Sequence, residues 1–208
     1  MKTNDLISIL TQAAPPRRPM RLGLAAAIIT LLSAVATIIV LGLRPGLAAG
    51  HPPASFWMKT LLLGWMAVVS LAALDRASKP LATKRRIWPM AALAIFAAIC
   101  VAIEWATVDA RTILGGFLLP NFPCCLISVT IYGSAGMAGF VGLIRRYAPA
   151  DPERCAGLAG LAAAAAAAVG YSIHCPLDSP TFIVVAYGLP MIALWALGRW
   201  LLPRKLNW

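Results

Sequence analysis

Charge is scarce in this chain. Asp and Glu number 7 and His 2 in 208 residues, and charged residues of both signs make up 12%. A soluble globular domain carries about 25%, so that class is excluded. The few acids and histidines form no zinc-protease motif, and there is no phosphate loop and no serine nucleophile elbow. Cys-x-x-Cys, the pattern of a thiol oxidoreductase, is absent despite five cysteines. No ionisable side chain stands near the middle of a long apolar run, where pumps and carriers place one on the ion path. No such run is broken at its midpoint by Gly-Pro chemistry, although Gly188 and Pro190 are placed to bend the last one. The chain is read as a non-enzyme. A membrane thiol oxidoreductase and a small-solute or metal carrier are the alternatives.

Apolar residues are abundant, at 61%, with a mean hydropathy of +0.81. They gather into six runs long enough to cross a hydrocarbon core of about 30 Å: Leu22–Leu43, Trp57–Leu74, Trp88–Ile103, Cys124–Ile144, Ala156–Ile173 and Thr181–Leu202. The expected fold is all-α, a six-span transmembrane bundle (residues 22–202) between an N-terminal segment, 1–21, and a tail, 203–208. The net charge of +11 would suggest nucleic acid in a soluble protein. Here 15 of the 18 Lys and Arg fall in segments on one side of the six runs, the bias of cytoplasmic loops. The partner is therefore the lipid bilayer, with no direct nucleic-acid contact, and both termini are cytoplasmic. Arg44, Lys59 and Arg111 are the three exceptions. Lys59 is expected at the outer boundary of its span, reaching water by snorkelling.

The connecting segments differ in kind. Arg44–Phe56 is rich in Pro and Gly and reads as irregular. Asp75–Arg86 is the densest basic loop, ending in Lys84, Arg85 and Arg86. Thr112–Pro120 is apolar but too short to cross, so it is read as interfacial or re-entrant. In the N-terminal segment, Leu6, Ile9, Leu10 and Ala13 follow helical spacing, forming a short amphipathic helix stopped by Pro15-Pro16. A helix this short is marginal alone. It either lies on lipid head groups or docks on a cytoplasmic partner. Gly133, Gly136, Gly139 and Gly142 stripe the fourth run, and Ala162–Ala168 is unbroken alanine, so these two spans are expected to pack as a close hairpin.

The chemistry lies in thiols. Cys124-Cys125 opens the fourth run, and Cys175 ends the fifth in the turn Ser172-Ile-His-Cys-Pro-Leu-Asp-Ser-Pro180. All three belong at the outer face, where an oxidising compartment makes thiols pair or react. His174 is placed to lower the Cys175 pKa or to add a nitrogen ligand for a soft metal. Cys100 and Cys155 read as ordinary packing.

Three segments together resemble the NrsF-type integral membrane anti-sigma factors: Met1-Lys-Thr-Asn-Asp-Leu-Ile7, Cys125-Leu126, and His174-Cys-Pro-Leu-Asp-Ser-Pro180. The resemblance implies a six-span protein of the bacterial inner membrane that negatively regulates an extracytoplasmic-function (ECF) sigma factor of the SigF kind. It implies a periplasm-facing cysteine pair responding to metal or oxidative stress, which by position is Cys125 with Cys175. The doublet departs from the single cysteine expected before the leucine, which leaves Cys124 as the other candidate partner. No resident cofactor is implied. A soft metal ion held transiently would use Cys124, Cys125, Cys175 and His174. The sigma factor would be held on the cytoplasmic side by Leu6, Ile7, Ile9 and Leu10, with help from Lys84, Arg85 and Arg86.

Overall fold

The structure, a computed structural model, describes residues 21–79, 88–145, 149 and 151–201. The expected contacts at Leu6, Ile7, Ile9, Leu10, Lys84, Arg85 and Arg86 lie outside the described residues. The described residues form helices α1 (Leu22–Leu41), α2 (Pro45–Ala48), α3 (Ala54–Ala77), α4 (Trp88–Thr107), α5 (Ala110–Gly115), α6 (Asn121–Ile144), α7 (Pro152–Tyr171) and α8 (Pro180–Leu201). A 3₁₀ turn, Gly116–Leu118, follows α5. Six of these helices, α1, α3, α4, α6, α7 and α8, are long and apolar enough to cross a membrane. Their large outward side chains are apolar, among them Ile39, Leu61, Ile95, Ile131 and Trp200. The protein is a multi-pass membrane bundle.

The bundle is built around α7, which packs against α1, α3, α6 and α8. Its alanines and glycines explain the position. Lipid tails are as apolar as any side chain, so spans associate by close packing, and small residues allow backbones to approach. From Cys155 to Ala168, every residue but Leu161 is buried. A Cβ on Gly160 would run into the Leu194 carbonyl of α8. One on Gly170 would strike Ser33 Oγ and the Thr30 carbonyl of α1, and one on Gly198 the Ala156 carbonyl of α7. Thr30 Oγ1 donates to the Ala166 carbonyl at 3.1 Å, tying α1 to this centre.

The glycine stripe on α6 is half used. Gly133 meets Leu194 and Ala164, and Gly136 meets Ile29, while Gly139 and Gly142 face open space. A three-residue spacing drifts around a helix of 3.6 residues per turn, so the four glycines do not share one face. α4 is peripheral, lying against α8 and α3.

Several expected boundaries move. α3 begins at Ala54, and the loop before it contains α2, so Arg44–Phe56 is more ordered than its prolines suggested. Pro45 sits at the first helical position, where a missing N–H costs nothing. Pro152 likewise starts α7, after Asp151 Oδ1 accepts from the Arg154 N–H at 2.9 Å. Pro190 lies within α8 without ending it. The 112–120 stretch is α5 plus the 3₁₀ turn, pinned by Phe117 against Phe122 and Phe182, with centroids 5.2 and 5.8 Å away.

The largest departure is Lys59. It does not snorkel: it is 1% exposed. Acceptors from the 172–179 turn reach it inside the bundle, so water is not needed to solvate it.

Candidate functional site

The loops between α1 and α3, between α4 and α6, and between α7 and α8 meet at one end of the bundle. Glu104 of α4 accepts from the Thr181 N–H at 2.7 Å and from Thr181 Oγ1 at 2.6 Å, capping the start of α8. Trp105 Nε1 donates to the same hydroxyl at 3.1 Å. These contacts fix the frame around the 172–179 turn.

Inside that frame, Cys125 Sγ of α6 donates to Cys175 Sγ of the turn at 3.4 Å, and both residues are fully buried. The two are free thiols at contact distance, well beyond the about 2.05 Å of a bond. Cys124, one residue earlier, is half-buried and sits about 100° round α6 from Cys125, on the side of Tyr171. The helix therefore selects Cys125 to face Cys175. The hydroxyls of Tyr171 and Tyr187 flank the two sulfurs. Both are buried and find no hydrogen-bond partner among the described residues.

The Cys175 turn is tied down by charge. Lys59 Nζ donates to the carbonyls of Cys175 at 2.7 Å and Leu177 at 3.2 Å, and pairs with Asp178 Oδ1 at 2.7 Å. Arg44 grips Asp178 through both nitrogens, at 3.0 and 2.8 Å. Ser55 Oγ adds a third donor at 2.7 Å. The Arg44 N–H also donates to the Ile173 carbonyl at 3.2 Å. Burial alone would raise the Asp178 carboxyl, but the hydrogen bonds from Arg44, Lys59 and Ser55 outweigh it and hold it below the usual carboxylate range. For the Cys175 thiol the balance is also downward. The hydrogen bond from Cys125 lowers it, burial opposes, and the Lys59 ammonium lowers it further.

His174 does not face the sulfurs. Its Nδ1 lies 3.0 Å from the Gly42 carbonyl, and its ring packs beside Tyr171 with centroids 5.8 Å apart. Among the described residues, no three of His, Cys, Asp and Glu converge as metal ligands. Of Cys124, Cys125, Cys175 and His174, the structure brings the Cys125 and Cys175 sulfurs into contact. Cys155 is buried in the first turn of α7, at the far end of the bundle. Cys100 is half-buried and lines a cavity of about 250 Å³ with Ser55, Lys59, Phe96 and Asp178.

A family model described as negative regulator of sigma F matches residues 6–208. The chain belongs to the NrsF family. The "Anti-sigma-F factor NrsF" of Caulobacter vibrioides (strain NA1000 / CB15N) is 30% identical over 220 residues, covering 97% of this chain and 99% of that protein. No solved structure matches the chain.

In this NrsF-family chain, the residues that sequence reasoning passed over are Lys59, Arg44, Tyr171 and Tyr187. A signal was present for two of them. Arg44 and Lys59 are two of the three cations outside the basic side of the charge tally, and both converge on Asp178. The tyrosines carry no such mark, because one aromatic in an apolar run looks like any other.

Proposed function

We propose that this protein is an anti-sigma factor of the bacterial inner membrane that holds an ECF sigma factor and releases it when its outer thiols react. The observation that carries the reading is the buried Cys125–Cys175 pair at 3.4 Å, in a chain of the family of negative regulators of sigma F. Residues 1–21 supply the sigma-factor contact through Leu6, Ile7, Ile9 and Leu10, aided by Lys84, Arg85 and Arg86. Residues 22–202 are the membrane domain and 203–208 a cytoplasmic tail, with both termini on the cytoplasmic side. That side carries the basic segments, and the thiols lie at the opposite, periplasmic end.

The chemistry follows from the pair. An oxidant takes two electrons and two protons from the thiols, and an Sγ–Sγ bond forms between Cys125 and Cys175. A soft metal ion bridging the same two sulfurs is the second way to engage them. Shifting the sigma factor from 99:1 bound to 1:99 takes about 5.5 kcal/mol of differential stabilisation. One disulfide is worth about 2–4 kcal/mol, so movement of the turn that carries Cys175 has to contribute.

The test is a reporter of the sigma factor, read with and without oxidant or metal. Cys175→Ser, and a Cys124→Ser/Cys125→Ser double change, are each expected to repress normally and fail to induce. Normal induction in both variants would make the cysteines bystanders.

A further inference from the structure

The charge at the thiol turn does not balance. Arg44 and Lys59 share the single carboxylate of Asp178, and Asp178 is already gripped by both Arg44 nitrogens and by Ser55. Lys59 is therefore a surplus cation, and it is the most deeply buried charge at this end of the bundle, with 0% side-chain exposure. An intramembrane cation is costly to keep, and such residues are retained for function. Two of its three N–H donors go to the carbonyls of Cys175 and Leu177, on either side of Pro176. Among the described residues neither carbonyl takes a backbone N–H, and Pro176 has none to give. Among the described residues, Lys59 is the one hydrogen-bond donor to the Cys175 carbonyl, while the Leu177 carbonyl also takes the Cys175 thiol at 3.9 Å.

We propose that Lys59 is a positioning residue for the thiol pair: it clamps the carbonyls of Cys175 and Leu177 so that the Cys175 sulfur stays against Cys125. The proposal rests on the reading of these thiols as the reacting groups. The clamp sits in the second turn of α3, and the same helix ends at the opposite face with Asp75 and Arg76.

The test is the rate at which an azodicarboxamide oxidant joins Cys125 to Cys175 in the full-length protein in membranes. In that step the two thiols lose two electrons and two protons, the S–S bond forms, and the N=N bond is reduced to a hydrazine. The product is read by mass spectrometry of the linked peptides. Lys59→Met leaves Asp178 paired with Arg44 and Ser55, so no carboxylate is stranded. This variant is expected to cross-link at least tenfold more slowly than wild type, with Lys59→Arg restoring most of the rate. If Lys59→Met does not accumulate, Lys59→Gln is measured instead. It lacks the ammonium and at least one of the three bonds, and is expected to be several-fold slower. A wild-type rate in whichever variant accumulates overturns the proposal. A silent sigma-factor reporter in a wild-type protein that does cross-link would instead overturn the sensor reading and leave the clamp standing.

Discussion

Replacing Asp178 by Asn removes the one carboxylate bonded to both Arg44 and Lys59. The side chains involved are 10% exposed for Asp178, 10% for Arg44 and 0% for Lys59, so solvent does little to screen the loss. Breaking a buried ion pair by removing one partner costs about 3–5 kcal/mol, because the remaining charge is stranded. At about 1.4 kcal/mol per factor of ten, this is roughly a hundred- to several-thousand-fold in the folding equilibrium. The cost would be read by titrating purified protein in mixed micelles with a denaturing detergent and following tryptophan fluorescence. A double-mutant cycle separates this account from a general loss of packing. Once Lys59 is Met, one of the two stranded cations is gone, so Asp178→Asn should cost less in the Lys59→Met background than alone. Asp178→Asn at wild-type stability, or strictly additive costs, would refute the buried charge network as a source of stability.

Three further outcomes are expected. Gly160→Val should destabilise the bundle by at least about 1–3 kcal/mol, because its side chain would enter the Leu194 backbone of α8, while Gly139→Ala should be near neutral in open space; the same detergent titration compares them. The Asp178 carboxyl is held below its ordinary value in the folded state, so its stabilisation is fully present above about pH 3.9 and is lost as pH falls through the lower, folded value; this loss on acidification should be absent from Asp178→Asn. Leu6→Asp/Leu10→Asp should insert at the wild-type level but fail to repress, since it places charge where an apolar anchor belongs; full repression by an abundant variant would move the sigma-factor contact to the basic loops.

The six spans were legible because membrane solvation leaves a continuous apolar run of fixed length, and that signal depends on nothing outside the run. The central place of α7 was only half legible. Alanine and glycine announced close packing with α6, but packing on four sides at once is a property of the neighbours. Boundaries shifted where prolines start helices, at Pro45 and Pro152. The stripe on α6 serves the close packing with α7 at Gly133 but not along its length, because a spacing of three does not keep a face. In the candidate site, the thiols were legible through residue type and position at helix ends, and α6 then separates Cys125 from Cys124 by rotation alone. Adjacency of His174 to Cys175 in sequence says nothing of which way its ring turns, and the ring lies against the Gly42 carbonyl. Lys59 was misjudged because its acceptors are the backbone carbonyls of Cys175 and Leu177, which no sequence pattern displays.

The most direct test of the central claim is co-elution of the sigma factor with tagged, detergent-solubilised protein in both thiol states. With the thiols reduced, the sigma factor should be retained. Oxidation that links Cys125 to Cys175 should release it, and reduction with a dithiol should restore binding. Cys175→Ser should retain it throughout. Equal retention by the reduced and cross-linked wild-type protein would contradict the account.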